Sequence, residues 1–319
     1  MNEHIPFQTP NLVWDSSIAI YLFLLGISAG ATLLAVLYKR NYTLEDPSQS
    51  WIIRGAAILA PSTIIIGLVL LIFHLARPWT FWYLMFNYQF NSVMSMGVLL
   101  FQVFMAVLFI WLSIIFKAII SSLIQQFIPK LMFIINLINI AEKATALIEL
   151  LLLLLSIALG AYTGFLLSAL ISYPMLNNPV LPVLFLVSGT SSGIAALLIV
   201  TLVVGKISTT SQEVHFLHKF ETPTVLIELF LLFAFFVGLY FGGGQKTVAA
   251  TNALSGFWGN VFWIGVIIIG IIFPLVMNQL ASNKLKHNKG FIILLATAGL
   301  IGVLCLRYFI LYAGQLTLA

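Results

Sequence analysis

Charge is scarce in this chain. Only 7% of the residues are Asp, Glu, Lys or Arg, against 61% hydrophobic, and the mean hydropathy is +1.12. A soluble globular domain carries about 25% charged residues, so that class is excluded. Cysteine is nearly absent as well: Cys305 stands alone inside an apolar run. An intrachain disulfide, a cysteine-ligated iron–sulfur cluster and a CxxCH haem attachment are therefore excluded. Of the five histidines only His74 falls in or beside a long apolar run, whereas a bis-histidine haem within a bilayer needs two. The expectation is a chain with no haem, no iron–sulfur cluster and no metal of its own. Lys and Arg never cluster beyond the Lys39-Arg40 pair, which leaves no phosphate-binding patch for nucleic acid despite a net charge of +5. The N-terminus holds Glu3 and lacks a basic n-region, so no cleaved signal peptide is expected.

What the chain does have is apolar length. Runs bounded by charge, Pro or Asn fall at about Asp15–Tyr38, Ile52–His74, Ser92–Phe116, Ala144–Ser172, Leu181–Val204, Thr222–Phe241, Gly256–Leu280 and Gly290–Ala313. Each is 20 residues or longer, enough to cross a hydrocarbon core about 30 Å thick as a helix. The expected fold is an all-α membrane protein with eight transmembrane helices. The apolar stretch 118–140 is interrupted by Pro129-Lys130; its two pieces are too short to cross and read as an interfacial connection.

The distribution of basic residues orients these helices. With eight spans, one side holds Lys39, Arg40, Arg54, Lys117, Lys130, Lys143, Lys206, Lys219, Lys284, Lys286 and Lys289, and the other only Arg77 and Lys246. The positive-inside bias then puts both termini in the periplasm of a bacterial inner membrane. A ninth span at 118–140 would spoil the segregation. Five of the seven tryptophans (Trp14, Trp79, Trp82, Trp258, Trp263) fall toward the outer face, as an aromatic belt would.

Gly26-Ile27-Ser28-Ala29-Gly30 in the first span and Gly189-Thr190-Ser191-Ser192-Gly193 in the fifth form a faint internal repeat. Four spans apart, they point to two four-helix halves, residues 1–172 and 173–319. The same GxSxG string is a hydrolase nucleophile elbow, but that motif needs a strand before it and a helix after it. Inside hydrophobic helices, small residues for close packing are the better account.

Ionisable groups within a bilayer cost about 2.5 to 3.5 kcal/mol each on insertion scales, so each is a functional candidate. They are Asp15, His74, Arg77, Glu149, Glu228 and Arg307. Asp15, His74 and Arg77 share the outer face, where they can serve a ring whose oxygens lose protons, since imidazole titrates near neutrality. The structural alternative makes Asp15 a helix cap, Arg77 a snorkelling cation and His74 an interface packer. Tyr162, flanked by Gly160 and Gly164, can donate a hydrogen bond to a quinone carbonyl while the glycines admit a flat ring; an ordinary interfacial tyrosine is the other reading. Trp14, Ser17, Tyr21 and Ser28 mark one face of the first span, for packing or for ligand. Glu149 and Glu228 lie in the inner halves of spans 4 and 6, as a possible proton path or as partners of Lys143, Lys219 or a helix terminus. Arg307 is expected near the outer end of span 8, snorkelling or paired with Asp15.

Val13-Trp14-Asp15 with the Gly26/Gly30 pair, HLARPWTFW (74–82), SVMSMG (92–97), LGAYTGFLLSAL (159–170), SYPMLNNPVLPVLFL (172–186), SGTSSG (188–193) and LRYFILYAGQL (306–316) together resemble the NrfD/PsrC family, membrane subunits of periplasmic redox complexes. Within it the likeness is greatest to the branch serving formate-dependent cytochrome c nitrite reductase. The resemblance implies a quinol-oxidising subunit of a multi-subunit oxidoreductase, with menaquinol as substrate and no redox cofactor of its own. Electrons would pass to a periplasmic four-cluster ferredoxin-like subunit and then to c-type cytochromes that reduce nitrite to ammonium. It also implies that Tyr162 faces quinone and that His74 takes part in quinol binding. Where the polysulfide reductase subunit places polar Asn and His contacts on its first helix, this chain has Ile18 and Tyr21, with Asp15 available for one polar role. A polysulfide or thiosulfate reductase anchor is the alternative within the family. A proton or solute transporter, with helices broken at Pro61 and Pro274, is the alternative outside it.

Overall fold

The computed structural model describes Phe7 and residues 12–42, 45–75, 77–127 and 129–318; Glu3 lies outside them. Eight long apolar helices, each able to cross a bilayer by length and composition, dominate the described residues: α1 (Ser16–Asn41), α2 (Trp51–His74), α3 (Val93–Ile115), α4 (Thr145–Ser168), α5 (Leu181–Val203), α6 (Gln212–Phe241), α7 (Gly256–Leu280) and α8 (Lys289–Gly314). No strand occurs among the described residues. The protein is a multi-pass membrane protein.

Helix α1 is the hub. It starts where the Asp15 carboxylate caps it, accepting from the Ser17 N–H at 2.9 Å, and it ends with Lys39 and Arg40 in the last turn, where cations complement the helix dipole. Between these ends it packs against α2, α4, α5 and α8, so residues on nearly every side of it, Ala19, Leu22, Leu25 and Ala31 among them, are fully buried. The α1–α5 crossing runs through the repeated glycines. A Cβ on Gly26 would stand 3.2 Å from the Gly189 Cα, and one on Gly193 only 2.5 Å from the Gly30 carbonyl carbon. Both copies of the string thus serve backbone-to-backbone packing. One apolar core runs from α1 to α8 without a break at residue 172.

Two details depart from the sequence reading and a third bears it out. Helix α6 begins at Gln212 rather than Thr222, because Ser211 caps it and the charged turns before Pro223 stay helical. At about 1.5 Å per residue its 30 residues reach about 45 Å, half as long again as the hydrocarbon core. The 118–140 stretch is indeed two short helices, Lys117–Phe127 and Phe133–Glu142, and the Lys117–Glu142 ion pair at 2.6 Å ties their outer ends together. Neither Pro61 nor Pro274 breaks its helix: α2 continues through Pro61, and Pro274 sits where the wide π-helical turns of Val261–Ile272 return to α-helix.

Candidate functional site

At the end of the bundle where α1 starts, α1, α2, α3 and α4 leave a cavity of about 120 Å³. Trp14 lines it from the segment before α1, Ile18 and Tyr21 from α1, Leu71 and His74 from α2, Phe101 and Gln102 from α3, and Tyr162 and Leu166 from α4. A short helix, Phe81–Leu84, closes it from the α2–α3 connection. The walls are carbon except for a few polar atoms: the His74 imidazole, two phenols, the Gln102 amide and the Trp14 indole.

Each polar group is held by a nameable contact. Asp15 uses both carboxylate oxygens: Oδ1 caps α1, and Oδ2 lies 3.5 Å from His74 Nδ1. The capping reading of Asp15 therefore holds, and it leaves the second carboxylate oxygen turned to His74. With Nδ1 turned to the carboxylate, the other ring nitrogen is left for a ligand. Both side chains keep access to the surroundings, His74 at 30% and Asp15 at 47% exposed. The segment before α1 is clamped from the far end of the sequence: Gln315 Oε1 accepts from the Val13 and Trp14 N–H groups at 2.8 and 3.0 Å, and its Nε2 donates to the Trp14 carbonyl at 3.0 Å. Ser16 and Tyr312 share a hydrogen bond of 2.8 Å beside it.

Tyr21 and Tyr162 are both buried and both line the cavity. The Phe101 ring meets both edge-on, with centroids at 6.2 and 5.4 Å. Gly97 makes room for Tyr162: a Cβ there would overlap the phenol ring and its hydroxyl. On α3, Gln102 fastens the cover, donating from Nε2 to the Met85 carbonyl at 3.1 Å. The Tyr88 hydroxyl lies between Gln102 Oε1 and that same carbonyl.

The remaining candidates stand elsewhere. Gly160 and Gly164 do not face the cavity. A Cβ on Gly160 would press on Leu186 and one on Gly164 on the Leu181–Pro182 backbone, so they are packing glycines of the α4–α5 contact. Arg77 is exposed and outside the lining; the group beside His74 is Asp15. The cover is the Phe81–Leu84 connection; in the α4–α5 loop Asn178 accepts from the Val180 N–H at 3.0 Å as α5 begins. Ser28 bonds the Ala60 carbonyl at 3.0 Å and serves α1–α2 packing.

Glu149 is buried and pairs with Lys39 of α1 rather than Lys143, with the Trp111 indole N–H 3.4 Å from the same oxygen. Arg307 neither snorkels nor reaches Asp15. It is fully buried, its Nη2 donates to the Phe185 carbonyl at 3.2 Å, and its guanidinium lies 3.7 Å from the Phe185 ring centre. Its electrostatic partner is the buried Glu228. Neither Glu149 nor Glu228 lines the cavity.

Sequence reasoning did not single out Gln102, Gly97, Phe101 or Gln315. Gln102 carried a usable signal, as a lone amide within an otherwise apolar helix. Gly97 and Gln315 fall within the SVMSMG and LRYFILYAGQL strings but carried no individual signal there, and Phe101 carried none, because their value comes from contacts with distant segments.

Comparison with known proteins agrees with this architecture. The family described as "Polysulphide reductase, NrfD" matches residues 4–319. The sequence is 64% identical over 315 residues to "Protein NrfD homolog" of Haemophilus influenzae, covering 99% of this protein and 98% of that one. It is 49% identical over 322 residues to "Protein NrfD" of Escherichia coli, covering 100% of both. To the polysulfide reductase C subunit of Wolinella succinogenes it is 43% identical over 309 residues, covering 97% of this protein and 96% of that subunit. With eight membrane-spanning helices and a match along almost its full length, this chain belongs to the polysulphide reductase NrfD family.

Proposed function

We propose that the protein oxidises menaquinol in the α1–α4 cavity and passes the electrons to a periplasmic ferredoxin-like subunit, and thence to c-type cytochromes that reduce nitrite. The observation that carries this reading is the Asp15–His74 pair at an apolar cavity with two phenols on its floor. Such a cavity suits a flat, amphipathic ring, and the polar groups suit its two oxygens.

Oxidation of a quinol releases two electrons and two protons. The free ring nitrogen of His74 accepts a proton from one quinol hydroxyl, and the Asp15 carboxylate 3.5 Å from Nδ1 stabilises the imidazolium. Tyr162 and Tyr21 hold the opposite oxygen by hydrogen bonds that put no charge into lipid. The aromatic edge of Phe101 and the cover fixed by Gln102 exclude water. The first proton leaves through the exposed His74–Asp15 pair and the same imidazole then takes the second, so both leave at this end of the bundle and turnover does not require Glu149 or Glu228 to carry any.

Both termini are periplasmic in this reading, supported by the basic-residue bias of the opposite end. The repeated glycine strings of α1 and α5 support two four-helix halves, 1–172 and 173–319, that share one core. Reporter fusions should place residues 40, 120, 212 and 287 in the cytoplasm and residues 85, 176 and 250 outside; a cytoplasmic C-terminus would overturn the orientation.

The function is tested by His74→Ala. Menaquinol-dependent nitrite reduction should be lost while reduction of nitrite from an artificial donor persists. Wild-type menaquinol turnover in that variant would remove the site. The likeness to a polysulfide reductase subunit keeps a second acceptor in view. If menaquinol oxidation is retained with polysulfide and not with nitrite, the same cavity serves a sulfur-reducing complex.

A further inference from the structure

The opposite end of the bundle carries a second cavity, of about 350 Å³, between the starts of α6 and α8 and the end of α7. It differs in kind from the first. Lys286, His215, His218 and His287 stand around its mouth, while Phe291 and Leu295 of α8 form an apolar floor. Its one acidic side chain, Glu221, is engaged by His218 Nδ1 at 2.7 Å, which leaves the Lys286 ammonium and the imidazoles of His215 and His287 as the other donors of the lining. The walls are braced: Thr209 donates to the His287 carbonyl at 2.9 Å, and Lys289 Nζ donates to the Lys206 carbonyl at 3.2 Å, joining the α5–α6 and α7–α8 connections.

Depth identifies the ligand class. Helix α6 is about 45 Å long while the hydrocarbon core is about 30 Å thick. Its polar first turns, Gln212–Glu221, therefore stand in the headgroup layer, and its apolar remainder from Thr222 fills the core. His215, His218 and Glu221 belong to those first turns. The cavity thus places the Lys286 ammonium and the imidazole donors at the depth of lipid phosphates and apolar side chains at the depth of the first acyl carbons. Basic pockets between membrane helices take anionic headgroups on these grounds.

We propose that this cavity holds the phosphodiester head of an anionic glycerophospholipid, with Lys286, His215 and His287 on the phosphate and an acyl tail over Phe291 and Leu295. A free phosphate shares the polar part of this chemistry but gains nothing from the floor. The proposal is independent of the quinol reading.

The test uses the full-length protein in nanodiscs of phosphatidylcholine with or without phosphatidylglycerol. Native mass spectrometry after mild extraction should find one retained phosphatidylglycerol. The triple variant Lys286→Gln, His215→Gln, His287→Gln should retain it roughly tenfold less, and Lys246→Gln at the other end should retain it as the wild type does. A photoactivatable phosphatidylglycerol should label residues 286–295 of the unmodified protein, which decides the matter if the triple variant does not fold. Equal retention by a folded triple variant, or labelling confined to other segments, overturns the site. Millimolar inorganic phosphate abolishing the label would assign the cavity to a soluble anion and overturn the lipid.

Discussion

Two acid–base pairs tie α1 to its neighbours, one at each end, and they are built differently. At the start of α1, Asp15 and His74 approach only to 3.5 Å and keep 47% and 30% exposure. At its end, Lys39 and Glu149 are in direct contact and only 18% and 8% exposed, with the Trp111 indole covering the carboxylate. The first pair is open and borders a cavity, so its hydrogen-bonding capacity is available to a ligand. The second is closed, and its charges are consumed by the fold. A titratable pair between membrane helices is thus a site candidate when it is left incomplete, and a structural clamp when it is complete.

The largest effect should come from breaking the closed pair. Glu149→Ala leaves the Lys39 ammonium without its carboxylate and should cost about 3 kcal/mol or more, seen as a lower Tm and loss of monodisperse protein in detergent. Lys39→Met combined with Glu149→Leu should recover most of that loss, since two well-packed apolar side chains replace a buried pair at little cost. Stability equal to wild type in Glu149→Ala would erase the distinction between the two pairs.

Breaking the open pair should do the reverse. His74→Ala should lower menaquinol oxidation by roughly a hundredfold, as loss of a general base does, while thermal stability changes by less than about 1 kcal/mol, as for other exposed pairs. A stability loss matching that of Glu149→Ala would make Asp15–His74 a clamp as well.

Smaller changes sharpen the picture of the open end. Tyr162→Phe removes one hydrogen bond worth about 0.5 to 1.5 kcal/mol net and should weaken menaquinol use roughly three- to tenfold; unchanged kinetics would take the phenol out of the site. The smallest effect belongs to Arg77→Gln, outside the cavity lining. It should change menaquinol turnover by less than about twofold, and a tenfold loss would show that Arg77 reaches the ligand.

How much of this is legible in the sequence differs from group to group. Asp15, His74, Tyr21 and Tyr162 stand out there, because each is a polar group at one membrane depth near a span end, and the structure brings His74, Tyr21 and Tyr162 to one cavity with Asp15 beside His74. Gly160 and Gly164 have a different neighbour from the one expected, since glycine in a helix signals close approach without saying by what. Depth alone matches Arg307 to Asp15; its true surroundings, Phe185 and Glu228, come from helices that adjoin α8 only after folding.

Length and hydropathy suffice for eight spans because a helix in lipid satisfies its own backbone, so each crossing is decided locally by about 20 consecutive residues. Basic-residue bias is likewise additive along the sequence. Which helices touch is not local. Within lipid no hydrophobic force selects neighbours, and contact is set by shape, as at the Gly26–Gly189 crossing. That packing alone decided that Lys39 completes Glu149, that Gln315 clamps Trp14 from the other end of the sequence, and that Asp15 meets His74 beside an open cavity.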